Sequence, residues 1–197
     1  PYYNYSTSIF SDNKKGNLNL SSSGRNSLSN TNNLRSKITN TLKYSTSDLY
    51  SKTGFVNNFG VYFKNLNATG KNDTKYKSSL QSEILNIYEF NSSLPLININ
   101  KKYNNYITPK ISFRINPSDM KDSSTDSRLI TTDNIFDINR LGLTDSYEAG
   151  KSLTLGLDYK KENIANNDKY FEIKLASILR DKEENKIPTS STANRTT

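Results

Sequence analysis

The sequence of 197 residues contains no cysteine and no histidine. Without cysteine it can form neither a disulfide framework nor a thiolate metal site. Without histidine it lacks the most common general base and metal ligand of enzymes. These two absences exclude most hydrolytic and zinc-dependent chemistries within this sequence. We therefore predict a protein that is not an enzyme, with no catalytic residues, no metal site and no cofactor.

Apolar residues are also scarce. They make up 32% of the chain, and the mean hydropathy is −0.78, whereas a soluble globular domain is usually close to half apolar. A conventional two-layer core would be hard to fill from such a sequence. Asn and Ser together exceed a quarter of the residues, which by itself favours disorder or a solvent-rich repeat. The 13 Tyr and 8 Phe argue against disorder, because disordered chains are poor in aromatic residues.

The net charge of +8 raises the question of a nucleic-acid partner. Such a partner requires a clustered basic patch or a known module. Here the lysines are scattered along the alternating segments, and no RRM, KH or zinc-finger pattern occurs, so no nucleic-acid binding is predicted. No run of about 18 apolar residues is present that could form a transmembrane helix. Because the sequence has no initiator Met and no signal-peptide pattern, we interpret it as an excerpt of a longer chain.

Apolar and polar residues alternate with a period of two, the pattern of β-strands that have one apolar face. In residues 34–46, one row contains Leu34, Ile38, Leu42 and Tyr44, and the opposite row contains no apolar residue. The pattern recurs in residues 55–64, 76–90, 107–115, 153–160 and 171–180, after two weaker segments at residues 2–10 and 17–23. About eight strands are therefore predicted. The stronger ones approach the length that a tilted strand needs to cross a membrane.

A soluble antiparallel sheet with one wet face alternates in the same way. A β-sandwich, however, needs two apolar faces that meet in a core, with turns every eight to twelve residues. Here the strands are longer, and the polar rows carry many charges. We predict an all-β fold, an antiparallel up-and-down transmembrane β-barrel segment of about eight strands. It would be part of a larger barrel, and an open curved sheet if taken alone.

The connections between the predicted strands differ in length. The second, fourth, sixth and eighth form the longer set, at residues 24–33, 67–73, 117–147 and from residue 181 onward. Outer-membrane barrels have short periplasmic turns and longer extracellular loops. The longer set is therefore expected outside the cell.

The longest connection, residues 117–147, mixes large apolar residues with charged ones. We expect Ile135 and Phe136 to anchor it by packing. Arg140 is expected to form an ion pair with one of the nearby acidic residues. Its positive charge among them favours such a pair over the binding of a divalent cation. Its candidate partners are Asp137, Asp145 and Glu148. The connection is therefore predicted to be a structured cap or an inward fold, lying over or inside the barrel.

Two stretches together resemble a known family. Residues 108–119 read TPKISFRINPSD, and residues 133–159 read DNIFDINRLGLTDSYEAGKSLTLGLDY. They resemble the LPS-assembly outer-membrane protein family, also called the LptD or organic-solvent-tolerance family. The matching loop positions are Asn134, Phe136, Asn139, Arg140, Asp145, Glu148 and Gly150, and the matching strand and turn positions before them are Pro109, Arg114 and Pro117. The sequence departs from the family at Gly142-Leu143, in place of Ser-Gly, and at Ser146, in place of Arg. Pro109 cannot donate a ladder hydrogen bond, so we expect it to begin its strand or to form a bulge.

The resemblance implies a fold, a function and partners. Family members form a very large barrel in the outer membrane of Gram-negative bacteria. The barrel receives lipopolysaccharide from a periplasmic jelly-roll domain and periplasmic bridge proteins, and releases it sideways through a seam. A plug lipoprotein of the LptE type occupies the lumen. Residues 1–197 would then be a portion of the C-terminal barrel domain, surrounded by outer-membrane lipids, and would lack the jelly-roll.

Basic residues on the polar rows are expected to line the lumen and to attract the phosphates and acidic sugars of lipopolysaccharide. They are Arg35, Lys37, Lys43, Lys64, Lys77, Lys110, Arg114, Lys160, Lys174 and Arg180. Four acidic residues would form ion pairs with them across strands, namely Glu83, Glu89, Asp158 and Glu172. Two alternatives remain from the residues alone. One is a passive porin or small structural outer-membrane barrel with a solvated interior, and the other is a soluble Asn/Ser-rich β-repeat used in adhesion.

Overall fold

The computed structural model describes residues 1–166 and 168–191. Their backbone forms ten β-strands, and these residues include no helix that is long and apolar enough to cross a membrane. The strands are β1 (Tyr2–Asp12), β2 (Gly16–Ser29), β3 (Asn33–Ser45), β4 (Leu49–Tyr50), β5 (Val56–Lys71), β6 (Gln81–Ser93), β7 (Leu96–Ile99), β8 (Tyr103–Asn116), β9 (Gly150–Asn163) and β10 (Tyr170–Arg180).

The strands follow one another in an up-and-down order. Eight long strands are hydrogen-bonded in the order β1-β2-β3-β5-β6-β8-β9-β10, while the short β4 and β7 pair with β5 and β8. The pairings with a defined register are antiparallel. The predicted all-β, antiparallel, up-and-down fold of about eight strands is confirmed. The short β4 and β7 lie in stretches that the sequence predicts to be connections.

Contacts divide the chain into two units, Pro1–Ser47 with Gly60–Tyr88, and Asp48–Phe59 with Glu89–Thr197. In the first unit, Leu42 of β3 lies opposite Leu20 of β2 and Phe63 of β5. The adjacent Thr41 lies opposite Ser21 and Lys64. Because alternate side chains of a strand point to opposite faces, this register builds one apolar face and one polar face, as the alternation predicts.

The polar row of β6 is less polar than predicted. It contains Leu85 and Ile87, which are 4% and 0% exposed, whereas Ile84 and Tyr88 of the apolar row are 54% and 48% exposed. Leu66 of β5, which is in the same row as Lys64, is also buried. Apolar side chains on this face are thus removed from water, which is favourable wherever neighbouring atoms cover them.

The predicted strand at residues 76–90 begins later than expected. Asp73 accepts hydrogen bonds from the backbone N–H groups of Lys75 and Tyr76, at 2.7 and 2.9 Å, and these bonds form a turn that holds the chain out of the ladder. Arg35 binds the same carboxylate, with Nε 2.6 Å from Oδ2. The side-chain hydrogen bond from Arg35 lowers the pKa of Asp73 to about 2. As a result Lys77 lies in the connection at residues 72–80, off the strand face that the alternation predicts for it.

The second connection, predicted at residues 24–33, is shorter in the structure than expected. Residues 30–32 alone join β2 to β3, and Asn30 and Thr31 have φ values of 50° and 58°. The stretch 24–29, predicted as loop, continues the ladder because backbone hydrogen bonds do not depend on apolar side chains. The second connection is therefore as short as the first, residues 13–15, and the prediction is wrong there. Among the connections that the structure describes, only residues 117–149 make the even-numbered set longer in sum than the odd-numbered set. The end of the last predicted connection, residues 192–197, lies outside the described residues.

In the second unit, the register again separates two faces. Leu153 of β9 lies opposite Phe113 of β8 and Leu179 of β10, and the adjacent Ser152 lies opposite Arg114 and Arg180. The buried core of this unit consists of Met120, Ile130, Ile135, Leu141, Leu143 and Ile187, with Phe136, Ala149, Ala176 and Ile178 packed against it. Ala176 and Ile178 are in the same row of β10 as Arg180. The core therefore lies on the polar face of β9 and β10.

Pro109 lies inside β8, paired with Leu157 without a break in register, so the prediction of a strand start or a bulge is wrong. Its carbonyl oxygen accepts a hydrogen bond from the N–H of Leu94, at 3.0 Å. In an antiparallel strand the N and C=O of one residue point to the same side. The nitrogen of Pro109 therefore points toward the gap between β6 and β7, where no ladder bond is required.

Candidate functional site

The stretch between β8 and β9, residues 117–149, is a folded segment that we call the insertion. Within it, Arg140 donates from Nε to Oε2 of Glu148 and from Nη2 to Oε1, both at 2.5 Å. Each side chain is 2% exposed. Two parallel, charge-assisted hydrogen bonds are among the strongest contacts that side chains make. The prediction that Arg140 forms an ion pair is confirmed, and Glu148 is the partner that the structure shows.

Two more arginines, both on strands, surround Glu148. Arg180 of β10 donates to its Oε1 atom, and Arg114 of β8 donates from Nη1 to its backbone oxygen at 2.9 Å. Burial by itself raises the pKa of Glu148, but the charge and hydrogen bonds of Arg140 and the charges of Arg114 and Arg180 lower this pKa to about 2. Glu148 is therefore ionised at neutral pH.

Small polar side chains of the strands complete this cluster. Ser152 and Thr154 of β9 accept hydrogen bonds from Arg140, at 2.9 and 3.1 Å. The amide of Asn116 in β8 donates to the backbone oxygen of Glu148 at 2.9 Å. All of these side chains are buried. Because a buried polar group without a partner is costly, the cluster holds the insertion in one position against β8, β9 and β10.

Two asparagines of the insertion fix its turns. Asn134 accepts a hydrogen bond from the N–H of Thr131 at 2.8 Å and donates to the oxygen of Leu129 at 2.9 Å. Asn139 accepts from the N–H of Leu143 at 3.1 Å and donates to the oxygen of the same residue at 2.9 Å. Each side-chain amide thus satisfies one backbone donor and one backbone acceptor that have no strand partner.

Phe136 anchors the insertion to the sheet. Its ring lies against Gly156 of β9, where an added Cβ would be 2.5 Å from the ring atom Cζ. The ammonium of Lys110 lies 5.6 Å from the ring centroid and pairs with Asp158. Only a residue without a Cβ leaves room for the ring in this row. The prediction that Ile135 and Phe136 anchor the loop by packing is confirmed, since Ile135 is in the buried core.

The chain that follows β10 also joins the insertion. The N–H of Ser123 donates to the oxygen of Lys186 at 2.8 Å, and Ile187 is completely buried in the core. Ser191 accepts a hydrogen bond from the N–H of Ile130 at 3.2 Å. Residues 181–191, which follow β10, are therefore part of the same folded structure.

The cluster around Glu148 acts as a structural clamp. Its guanidinium and carboxylate groups are buried and hydrogen-bonded within the protein, so none of them is presented to a reacting molecule. In the described part of the chain, no group of three or more acidic side chains could hold a metal ion. The cluster fixes the insertion to one face of the sheet, and its role is to hold that segment in position.

The family model for LptD, LPS transport system D, matches residues 27–197. The chain belongs to the LptD family. The match begins within β2 and includes the insertion. The sequence has no match among individually curated proteins. The LptD family acts in the transport and assembly of lipopolysaccharide, which is an outer-membrane process and is not catalysis.

The structure of this LptD-family chain explains most of the positions that carry the resemblance. Five of the seven loop positions make the turn, packing and ion-pair contacts described above. The other two are Asp145, which is 9% exposed, and Gly150, whose φ of 84° favours glycine at the first residue of β9. Before the insertion, Arg114 binds the backbone of Glu148, and Pro117 directly follows β8.

Nine of the ten basic residues predicted on the polar rows lie on strands, and Lys77 does not. In the second unit, four of these five cations form ion pairs with carboxylates of the same chain, and Arg114 binds backbone oxygens instead. The pairs are Lys110 with Asp158, Lys160 with Glu162, Lys174 with Asp133 and Glu172, and Arg180 with Glu148. In the first unit, Arg35 binds Asp73, and the ammonium of Lys43 lies 4.9 Å from the ring centroid of Tyr62.

Sequence reasoning missed several residues of the clamp. Ser152, Thr154 and Asn116 belong to the polar rows, and nothing in the alternation separates them from exposed polar neighbours. Ile187 has a weak signal, because it is an isolated large apolar residue in the polar stretch after β10. Such a residue is a candidate for burial.

Proposed function

We propose that residues 1–197 are a portion of the C-terminal β-barrel domain of an LptD-family protein, and that this barrel inserts lipopolysaccharide into the outer leaflet of a Gram-negative outer membrane. The observation that carries the proposal is the contrast between the two faces of β8, β9 and β10. Phe113, Leu155 and Leu175 of the apolar rows are 42, 44 and 59% exposed. Acyl chains cover such a row in a membrane barrel, whereas a large exposed apolar surface is unusual in water.

The polar rows would then face the barrel lumen. The insertion covers part of this face over β9 and β10, so the clamp would fix it against the lumen wall. The basic side chains of the lumen would interact with the phosphates and acidic sugars of lipopolysaccharide. The partners we propose are lipopolysaccharide, a plug lipoprotein of the LptE type, periplasmic bridge proteins and outer-membrane lipids. We propose neither a catalytic nor a nucleic-acid-binding role.

The passive-porin alternative is not favoured, because the family to which the chain belongs acts in lipopolysaccharide transport. The soluble adhesion repeat is also not favoured, because its apolar row would need to be covered by a second layer. The exposed Phe113, Leu155 and Leu175 lack such a layer.

Depletion of the full-length protein in its own cells tests the proposal. The measurements are the arrival of newly made lipopolysaccharide at the cell surface and the entry of a large apolar antibiotic. The expected result is a loss of surface lipopolysaccharide and an increase in antibiotic entry. Normal surface lipopolysaccharide together with slower uptake of small polar solutes would instead identify a passive pore and overturn the proposal.

A further inference from the structure

The apolar row of β9 ends in a cation. The row occupies alternate positions of residues 153–159, and the next side chain on the same face is Lys161. Lys161 is exposed, and it lies opposite Asn105 of β8 and Phe171 of β10. Its positive charge is therefore placed where the apolar face of the sheet ends and the turns begin.

A second ammonium group lies near Lys161, at the same aromatic ring. The Nζ atom of Lys161 is 4.5 Å from the ring centroid of Tyr103, and that of Lys102 is 5.5 Å from it. The backbone oxygen of Lys102 accepts a hydrogen bond from the N–H of Ile164 at 3.1 Å, which joins the turn before β8 to the turn after β9. Two cation–π contacts with one ring keep the two positive charges close together. We use the name rim patch for a group of residues of the second unit, namely Lys102, Tyr103, Asn105, Tyr159, Lys161 and Phe171.

The two charges are not neutralised within the part of the chain that the structure describes. Among those residues, neither Lys102 nor Lys161 forms an ion pair with a carboxylate. Glu162 is adjacent to Lys161 in the sequence, but it belongs to the polar row, where its Oε1 atom lies 2.8 Å from Nζ of Lys160. The positive charge of the rim patch is therefore available to a molecule that supplies negative charge.

The other groups of the rim patch suit a lipid better than a soluble anion. The hydroxyl of Tyr159 donates to Oδ1 of Asn105 at 3.1 Å, and the ring of Tyr159 meets Phe171 edge-on, with 6.4 Å between the centroids. Phe171 is 55% exposed. Along this face, apolar side chains are thus followed by aromatic rings with a hydroxyl and then by ammonium groups. A glycerophospholipid presents its acyl chains, its glycerol esters and its phosphate in the same order.

The rim patch is at the opposite end of β8 and β9 from the insertion. Outer-membrane barrels have their longest connections outside the cell, so the proposed function puts the rim patch on the periplasmic side. The leaflet on that side of an outer membrane consists of glycerophospholipids, and part of them are anionic. Lysine side chains close to an anionic lipid surface are attracted to it.

We infer that the rim patch binds an anionic glycerophospholipid of the inner leaflet, with Lys102 and Lys161 on the phosphate and with Phe171 against the acyl chains. The inference rests on the proposed function, which places the apolar rows of β8, β9 and β10 in the outer membrane. It goes beyond that function because lipopolysaccharide transport concerns the polar face, whereas this site lies on the opposite face and holds a resident lipid.

Binding of phosphatidylglycerol to the full-length protein in a non-ionic detergent tests the inference, and native mass spectrometry measures the Kd. K161Q should raise the Kd about fivefold, and K102Q/K161Q should raise it further, because each variant removes cations from a lipid-binding surface. The matched control K151Q removes the same charge from the same row at the other end of β9, and should leave the Kd nearly unchanged.

Three results would overturn the inference. They are an equal loss of affinity in K161Q and K151Q, equal affinity for phosphatidylglycerol and for zwitterionic phosphatidylcholine, and displacement of the lipid by an equal concentration of glycerol phosphate. The first would mean attraction by net charge alone, the second a site that does not recognise the anionic headgroup, and the third a site for soluble anions.

Photo-crosslinking in liposomes with equal amounts of phosphatidylglycerol and phosphatidylcholine provides a readout that remains valid if the lysine variants fail to fold. A benzophenone amino acid replaces Phe171, so one aromatic side chain stands in for another, and it should crosslink more phosphatidylglycerol than phosphatidylcholine. The same group at Leu155, in the middle of the apolar row of β9, should crosslink the two lipids equally. Equal yields of the two lipids at Phe171 would overturn the inference.

These outcomes are distinct from those that test the proposed function. Equal crosslinking of the two lipids at Phe171, together with a loss of surface lipopolysaccharide on depletion, would overturn the inference and support the proposed function. A preference for phosphatidylglycerol at Phe171, in a protein whose depletion leaves surface lipopolysaccharide normal, would support the rim patch and overturn the proposed function.

Discussion

Phe136 of the insertion lies so close to Gly156 of β9 that a methyl group at position 156 would be 2.5 Å from the ring atom Cζ and 2.7 Å from Cε2. A folded segment and a strand are therefore in contact through a glycine that leaves space for an aromatic ring. We expect G156A to displace the ring and to destabilise the protein by about 1–3 kcal/mol, as overpacking does. Unfolding in urea, with the protein in detergent micelles, measures the change.

The second substitution F136L provides the control for this prediction. It shortens the side chain at the point of overlap, so the double variant G156A/F136L should be more stable than the sum of the two single changes predicts. Additive effects of the two substitutions would show that the ring and the glycine do not interact.

Removal of Arg140 should release the insertion. R140A leaves the buried carboxylate of Glu148 without its bidentate partner and should lower the free energy of unfolding by about 3 kcal/mol or more. We expect faster protease cleavage within residues 117–149 and lower assembly or transport. K174A removes a cation whose partner Asp133 is solvent-exposed, so it should have a much smaller effect. Unchanged folding and unchanged outer-membrane permeability in R140A would contradict the clamp.

Acid should loosen the insertion through Glu148. Its pKa is lowered from 4.5 to about 2 in the folded protein, so the unfolded chain takes up this proton at a higher pH than the folded one. The stabilisation is therefore complete above about pH 4.5 and is lost as the pH falls toward 2. Protease accessibility of residues 117–149 at a series of pH values measures this loss. E148Q should be less stable at neutral pH, and its stability should vary less across that interval.

A charge on the apolar face should prevent membrane insertion. Leu42 lies between Leu20 and Phe63, and L42R should cost about 2–4 kcal/mol if this row faces the middle of a bilayer. Ser21 is on the polar face, opposite Thr41, so S21R adds the same side chain with little penalty. Folding into liposomes, followed by heat-dependent gel mobility, compares the two variants. Equal folding of L42R and S21R would contradict the membrane assignment.

Proline should be tolerated at position 109 but not at the position before it. The nitrogen of Pro109 points toward the gap between β6 and β7, so P109A should change stability by about 1 kcal/mol or less. The N–H of Thr108 points to the other side, toward β9, and T108P should remove a ladder bond and destabilise β8. Hydrogen exchange of the amides of β9 measures the difference. Equal protection in the two variants would show that the orientation of the β8 backbone is not as described.

The alternating segments and the elements of the structure agree where the two faces differ most. Residues 34–46 coincide with β3 to within one residue at each end, because a row such as Leu34, Ile38 and Leu42 is distinct from its polar neighbours. The agreement fails at residues 24–29, which are polar in both rows and still pair with β3. It fails again at Tyr76 and Lys77, where the backbone bonds of Asp73 form a turn that the alternation does not reveal.

The type of structure at the candidate site was predictable from the sequence. The mixture of Phe136, Arg140 and Glu148 within one long connection predicts a packed loop with an ion pair. The choice among three acidic partners was not predictable, because Asp137, Asp145 and Glu148 all lie within eight residues of Arg140. The position of Ser152 and Thr154 next to the arginine depends on where the insertion rests on β9.

The sequence by itself determined the period of two, and with it the separation of apolar from polar side chains along each strand, because alternate residues of an extended chain point in opposite directions. It also determined the family, through the loop residues and their spacing. Only the tertiary structure decided that the insertion lies on the polar face, that Arg114, Arg140 and Arg180 converge on Glu148, and that the segment after β10 completes the core. Apart from the pair of Arg140 and Glu148, these contacts join residues that are far apart in the chain, so they depend on the register between strands, which no local pattern contains.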